Sequence, residues 1–240
     1  MIKKYLWLVI LMILLAVIAG LWLAQININK DEDISLEDDF RIYMILGKIK
    51  QIETVSSLLQ ADIPLTFALN PNFFHAHELA EDIWYTGKDV VIEIPDNIYY
   101  KSVLKDAEKF KLELSKYLQI IPFATGIVFS DKILLSLLKD KKVLQSSLEF
   151  IHNKRLTIII PKKYLKHIIS ELTEGDKKSC YIYNNYVPEK TPLPKIIYRN
   201  IQKNNKRNIC LYMDAKYSKV FFEKILPSMT FDNFAIIPSL

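Results

Sequence analysis

From Arg41 to the end of the chain, short apolar segments typical of β-strands alternate with amphipathic segments typical of α-helices. The predicted strands cover residues 41–46, 63–69, 89–95, 124–130, 156–161, 180–187, 208–213 and 234–240. The predicted helices lie between them, at residues 48–62, 75–87, 102–118, 133–154, 162–175, 193–204 and 216–229. Strands that are separated by helices are typical of βα units, which build a mainly parallel sheet. The alternation therefore predicts an α/β fold, and periodicity alone leaves open an incomplete barrel or an open doubly wound sheet.

An apolar run without a charged residue precedes this region, from Tyr5 to Ala24. A helix of about twenty apolar residues spans a hydrocarbon core of roughly 30 Å. Lys3 and Lys4 precede the run and an acidic stretch follows at 31–33, so the positive-inside bias places the rest of the chain outside the cytoplasm. A cleaved signal peptide would have a shorter apolar region and a small-residue cleavage site, and the sequence around Ala24 provides neither.

These features predict three regions. Residues 1–25 form an N-terminal transmembrane anchor, residues 26–40 form a polar tether, and residues 41–240 form one globular domain. We expect a single-pass protein of a bacterial inner membrane, whose C-terminal domain lies in the periplasm.

Composition excludes several classes of function. The formal net charge of +5 is spread among mixed charges, which predicts no nucleic-acid partner. With five glycines and no glycine-rich loop, no phosphate-binding motif is present. Cys180 and Cys210 could form one disulfide in an oxidising compartment, but they have no metal-binding spacing. We therefore predict no cofactor.

Residues 63–95 carry a resemblance to a known family. The matching residues keep their spacing, and they are Leu65, Thr66, Phe67, Ala68, Pro71, His75, Glu78, Leu79, Ala80, Gly87, Val90, Ile94 and Pro95. This stretch resembles the signature of the divergent polysaccharide deacetylase family, and residues 126–128 and 221–240 also fit its pattern. The resemblance implies a NodB-like, distorted (β/α) barrel over residues 41–240.

The positions that would carry the chemistry of that family have changed. The family has two aspartates where this chain has Leu46 and Gly47. It has histidine at the positions of Glu93, Ser130 and Met213, and aspartate at that of Pro161. The resemblance implies a metal held by one aspartate and two histidines, together with an acid and a base. Since only Glu93 could bind a metal, we predict no catalytic residue and no metal, and expect these six positions to line a degenerate cleft.

Other residues are candidates for the same cleft. We expect His75, Asp96, Tyr99, Asp131 and Asp214 near the ends of the strands where such barrels place their chemistry. On a helix His75 and His77 would point to different faces, so they cannot chelate one ion.

Three functions remain open. The preferred interpretation is a membrane-anchored, periplasmic protein of carbohydrate or cell-envelope metabolism that binds an envelope glycan or a protein partner without catalysis. One alternative is an active carbohydrate-processing hydrolase with a relocated site, which would use Glu93 with Asp96, Asp131 or Asp214. Another is a structural subunit of an envelope complex. Converging carboxylates at the barrel mouth would favour an enzyme, whereas an apolar or plugged mouth would favour an interaction protein.

Overall fold

The computed structural model describes residues 41–96, 100–168, 170–172, 180–190, 193, 195–196, 208–221, 223 and 234–237. The predicted anchor and tether, residues 1–40, lie outside the described residues, as does Tyr99. Within the described ranges, no helix has the length and apolar character needed to cross a membrane.

The described residues contain eight strands, all paired in parallel. They are β1 (Arg41–Gly47), β2 (Thr66–Leu69), β3 (Asp89–Glu93), β4 (Gly126–Val128), β5 (Thr157–Pro161), β6 (Cys180–Tyr186), β7 (Asn208–Asp214) and β8 (Phe234–Ala235). The first seven close into a barrel, because β1 pairs with both β7 and β2. The prediction of a mainly parallel (β/α) barrel is confirmed.

Strand β1 is shared by three partners. Its full length pairs with β7, from Arg41 opposite Asn208 to Gly47 opposite Asp214. Its other edge is divided between two strands: Ile45 and Leu46 pair with β2, and the preceding residues Ile42 and Tyr43 pair with β8. The short strand β8 therefore occupies the part of this edge that β2 does not reach.

Helices connect the strands on the outside of the barrel. They are α1 (Glu53–Gln60), α2 (Ala76–Tyr85), α3 (Tyr100–Val103), α4 (Ala107–Ile120), α5 (Asp131–Leu137), α6 (Lys141–Asn153), α7 (Leu165–Ile168) and α8 (Ser218–Val220), with 3₁₀ turns at Lys162–Tyr164 and Ala215–Tyr217. Side chains of Asp106, Ser130 and Asp140 accept hydrogen bonds from backbone N–H groups of the first turns of α4, α5 and α6. Such caps satisfy donors that have no partner within the helix, and they fix where these helices begin.

Two apolar layers follow from the alternation of side chains along each strand. The outward residues pack under the helices in one large cluster that includes Leu46, Phe67, Ile92 and Met213. The inward residues form a smaller cluster inside the barrel, with Ile45, Ala68, Val91, Val128, Ile159, Tyr183, Cys210, Tyr212 and Ile237. Cys210 lies opposite Tyr183, so the register does not place it opposite Cys180.

A carboxylate is buried at the base of the barrel, the end at which the strands begin. Asp89 is 6% exposed, and it accepts hydrogen bonds from the hydroxyls of Thr125 at 2.6 Å and Thr66 at 3.4 Å. Burial raises the pKa of Asp89 from 3.8 to about 6, although these hydrogen bonds oppose the shift. The folded barrel therefore keeps a proton on Asp89 over a range of pH in which the unfolded chain releases it.

We predict that Asp89 makes the fold less stable as the pH rises. Because the pKa is higher in the folded state, the free energy of unfolding should fall, relative to Asp89→Asn, by roughly 2 kcal/mol between about pH 4 and about pH 7. Urea titrations of both proteins across this range measure the difference. Asp82→Asn, a substitution at an exposed position of α2, is the matched control. A difference between wild type and Asp89→Asn that does not change with pH would contradict the prediction.

Candidate functional site

A cleft opens at the mouth of the barrel, the end where the parallel strands finish. It has a volume of about 290 Å³ and is lined by Lys48, Glu93, Asp96, Val128, Ser130, Asp131, Lys132, Tyr183, Asn185 and Tyr212. Three of these side chains are carboxylates and two are ammonium groups. In (β/α) barrels, residues at this end carry binding and catalysis, whereas the opposite end serves stability.

Glu93 ends β3 and is the deepest carboxylate of the cleft. Its Oε1 accepts a hydrogen bond from the Tyr212 hydroxyl at 2.6 Å, and its Oε2 accepts one from the Lys48 backbone N–H at 2.8 Å. Burial raises the pKa of Glu93; the two hydrogen bonds act against this shift, and the negative charge of Asp96 adds to it. The carboxylate is therefore held in one orientation and is more readily protonated than an exposed glutamate.

The end of β1 makes this arrangement possible. A Cβ atom at Gly47 would lie 2.0 Å from the Tyr212 hydroxyl oxygen, so any side chain there would push Tyr212 away from Glu93. The next residue, Lys48, adopts a positive φ of 55°, which is uncommon for residues other than glycine. The turn at Gly47 and Lys48 thus leaves room for one donor to Glu93 and supplies the other.

Two tyrosine rings lie together beside Glu93. The rings of Tyr183 and Tyr212 have centroids 5.1 Å apart with planes tilted by 34°. The Tyr183 hydroxyl donates to the backbone carbonyl of Phe129 at 3.2 Å. Burial raises the pKa of both phenols, and the nearby carboxylates raise it further, so both hydroxyls stay protonated and act as donors. Tyr183 and Tyr212 form an aromatic floor between the polar cleft and the apolar interior.

The rim of the cleft consists of exposed ion pairs and hydrogen bonds. Asp96 accepts a hydrogen bond from the Ser130 hydroxyl and has the Lys132 ammonium 3.8 Å away. Asp131 pairs with the ammonium group of Lys163, an interaction that raises the pKa of that lysine. Exposed pairs of this kind contribute only about 0–1 kcal/mol each to stability. A ligand could therefore replace them at little cost.

The structure brings some of the predicted site residues together. Glu93, Asp96, Ser130 and Asp131 line the cleft. Asp214 lies next to it, because its carboxylate is 3.9 Å from the Lys48 ammonium group.

Other predicted residues do not reach the cleft. Leu46 and Met213 are fully buried on the opposite face of their strands, against the helices. Pro161 is buried at the end of β5 and is not part of the lining. His75 stands just before α2 with its side chain exposed, and it is not part of the lining. Gly47 does not line the cleft either, but its lack of a side chain leaves the space that the Tyr212 ring occupies.

Lys48, Lys132, Tyr183, Asn185 and Tyr212 line the cleft and were missed by the sequence analysis. A signal for three of them exists. Tyr183 and Asn185 are two residues apart in β6, and Tyr212 precedes Asp214 by two residues in β7. Side chains two apart share one face of a strand. Taking every second residue up to the end of β6 and β7 would therefore have identified these three side chains as candidates for the cleft.

The metal site implied by the family resemblance does not fit these residues. Both oxygens of Glu93 already accept hydrogen bonds, and the Ser130 hydroxyl is used by Asp96. Two lysine ammonium groups, from Lys48 and Lys132, stand among the carboxylates and would repel a divalent cation. Among the described residues, no three His, Cys, Asp or Glu side chains form a group that could hold a metal ion.

Comparisons with known proteins extend only to the fold. No family model matches the chain, and no curated protein matches its sequence significantly. An uncharacterized protein from Agrobacterium tumefaciens C58 has a similar structure, with a TM-score of 0.53 and 12% identity, over 82% of this chain and 87% of that one. A GH18 chitinase from Pseudoalteromonas aurantia matches with a TM-score of 0.46 and 11% identity, over 78% of this chain and 100% of that one. At 12% identity, the likeness to the Agrobacterium protein shows a common fold and nothing finer.

We predict that Tyr212→Phe raises the pKa of Glu93 further, because the hydroxyl that stabilises the ionised carboxylate is lost. A carbon-13 NMR titration of glutamate-labelled protein, with Glu93→Gln used to assign the resonance, measures this pKa. Gly47→Ala should have the same effect, since the added methyl group displaces the Tyr212 hydroxyl from Glu93. A pKa of Glu93 that is unchanged in both variants would show that Tyr212 does not hold the carboxylate.

Proposed function

We propose that the cleft binds a sugar residue of an envelope glycan, and that the protein is a divergent, membrane-anchored member of the polysaccharide deacetylase family without its metal-dependent reaction. The observation that carries the proposal is the half-buried Glu93 carboxylate, which two donors orient next to a pair of tyrosine rings. Ligand sites typically combine apolar surface with a few fixed polar groups of this kind.

The chemistry of the lining favours a ligand rich in hydroxyl groups. Carboxylates accept hydrogen bonds and cannot donate when ionised, so Glu93 and Asp96 suit the hydroxyl donors of a sugar. The side-chain amide of Asn185 can both donate and accept. Tyr183 and Tyr212, which are 5% and 6% exposed, add only a small apolar area beneath these polar groups. Asp96 and Asp131 are each paired with a lysine, so the cleft carries little net charge and suits a neutral sugar better than a polyanion.

The proposed location is supported by the sequence before Arg41. The apolar run from Tyr5 to Ala24, with Lys3 and Lys4 before it, supports a single-pass anchor in a bacterial inner membrane with the barrel in the periplasm. There the barrel would meet the envelope glycan. A purely structural subunit has less support, since the mouth is neither apolar nor plugged.

We predict that Glu93→Gln weakens sugar binding by about 10- to 100-fold, because a hydrogen bond to a charged acceptor contributes roughly 1.5–3 kcal/mol. Isothermal titration of the full chain in detergent with β-1,4-linked N-acetylglucosamine oligosaccharides, and with their deacetylated forms, measures the affinity. Glu108→Gln, on the exposed face of α4, is the matched control and should bind as wild type does.

Two outcomes would contradict the proposal. One is the absence of binding by either set of oligosaccharides, or equal affinity in wild type and Glu93→Gln. The other is release of acetate from the acetylated oligosaccharides after zinc is added, lost in Glu93→Gln, which would restore the deacetylase reaction.

The raised pKa of Glu93 also favours a second candidate, metal-free acid–base hydrolysis of a glycosidic bond. A general acid must keep its proton near the working pH, and burial beside a second carboxylate favours this. Glu93 would donate to the leaving oxygen while Asp96 activates water, as paired carboxylates do in glycosidases.

If hydrolysis occurs, we predict that its rate falls as the pH rises through the pKa of Glu93, because the acid form is then lost. Mass spectrometry of the same oligosaccharides after incubation at several pH values detects the products, and Glu93→Gln should abolish them. Oligosaccharides that bind to the wild-type protein but stay intact at every pH would rule out this candidate and leave binding alone.

A further inference from the structure

Two exposed aromatic side chains and a half-buried third lie together at the base of the barrel. Trp84 is 51% exposed and Tyr85 is 77% exposed, and both belong to the last turn of α2. The Trp84 ring stacks on Phe123 with centroids 5.1 Å apart, and it meets the Tyr85 ring edge-on at 5.4 Å. We call Trp84, Tyr85 and Phe123 the basal aromatic patch.

The position of this patch follows from the parallel topology. Trp84 and Tyr85 end the helix that leads into β3, and Phe123 lies in the loop that leads into β4. Because all strands run in the same direction, the segments that precede them lie at one end of the barrel. The first residue of β1, Arg41, also lies at this end. The patch and the point where the preceding chain enters the barrel are therefore on the same side, opposite the cleft.

The patch is not required by the core. The buried face of α2 is formed by Ala76, Leu79, Ala80 and Ile83, and these residues pack against the sheet. Trp84 and Tyr85 point away from that face and stay in contact with solvent. Tryptophan and tyrosine favour membrane–water interfaces, because their rings are apolar while the indole N–H and the phenol O–H need a polar partner.

The chain that precedes Arg41 argues for a membrane at this end. The predicted tether of residues 26–40 joins the base of the barrel to the predicted anchor. A flexible chain of fifteen residues has a root-mean-square length of roughly 20 Å, and a domain of 200 residues has a radius of gyration of about 16 Å. The distance between the barrel and the bilayer therefore does not exceed about the diameter of the barrel. The tether attaches to the base of the barrel, so the base is the end nearest the membrane.

We propose that the basal aromatic patch inserts into the headgroup region of the bilayer, so that the barrel stands on the membrane with its cleft facing away. The proposal rests on the membrane anchor of the proposed function and adds an orientation to it.

The distribution of charge agrees with this orientation. Lys154 and Arg155 are exposed in the turn between α6 and β5, at the base, whereas the lining of the cleft holds more carboxylates than ammonium groups. The exposed carboxylates of Asp62 and Asp82 offset part of the basic charge. Anionic headgroups should therefore add a small attraction for the base of the barrel, but the aromatic side chains should contribute most of the binding energy that sets the orientation.

The chain allows a direct test, because its only tryptophans are Trp7, Trp22 and Trp84. The full chain with Trp7→Phe and Trp22→Phe would be reconstituted into phosphatidylcholine–phosphatidylglycerol vesicles that contain brominated acyl chains. Bromine quenches tryptophan fluorescence only at short range. With bromine near the glycerol end of the acyl chains, we expect Trp84 to lose a clear part of its emission relative to vesicles without bromine. A chain that retains only Trp22 reports whether the anchor has inserted.

The matched control moves the tryptophan to the other end of the barrel. Phe74 is 89% exposed and lies between β2 and α2, on the side of the mouth. In a chain that carries Trp7→Phe, Trp22→Phe, Trp84→Phe and Phe74→Trp, the single tryptophan should keep its emission in brominated vesicles.

The remaining outcomes overturn the proposal in distinguishable ways. If the full chain does not float with the vesicles, the membrane anchor itself is wrong. If it floats and Trp22 is quenched while Trp84 is not, only the orientation fails. If Trp84 is then also protected from acrylamide, the patch is covered by protein, either a second copy or a partner. Sugar binding by the cleft is measured separately in detergent, so its outcome does not depend on any of these.

Discussion

The pairing of β1 with three strands is the constraint on which the rest of the structure depends. One edge of β1 pairs with β7 along seven residues, and the other edge is divided between β2 near the mouth and β8 near the base. Without these pairings the sheet would have two open edges, whose unpaired N–H and C=O groups invite association with other chains. Closure also sets the height at which β1 ends, and therefore where Gly47 and Lys48 meet the side chains of β3 and β7.

The partial burial of Glu93 is stabilised where the end of β1 meets β3 and β7. A buried carboxylate is costly unless donors compensate for the water it has lost. Tyr212 and the Lys48 N–H provide two donors, and Gly47 leaves the space that Tyr212 needs. The same contacts do not fit the metal site that the family resemblance implies. The oxygens that would face a cation are engaged, and ammonium groups occupy the surroundings. What remains is a polar cleft over an aromatic floor.

The sequence predicted the fold better than it predicted the site. The alternation of strands and helices is a local property, and it correctly indicated an α/β fold with a mainly parallel sheet. The choice between a closed barrel and an open sheet depends on the pairing of β1 with β2 and β7, which no local pattern contains. At the site, Leu46 and Met213 each sit one residue from an inward position, and in a strand one residue reverses the face. Tyr212 could not be linked to Glu93 because 119 residues separate them.

The turn after β1 has a consequence for how this protein can change over time. One donor to Glu93 is a side chain, which needs tyrosine at 212 and glycine at 47. The other is a main-chain group of residue 48, which every amino acid except proline possesses. Substitutions at 48 can therefore alter the charge above the cleft while the main-chain hydrogen bond to Glu93 persists, whereas a change at either 47 or 212 removes the side-chain hydrogen bond. Substitutions at position 48 can therefore change which ligands the cleft prefers, while the hydrogen bonds that orient Glu93 are kept.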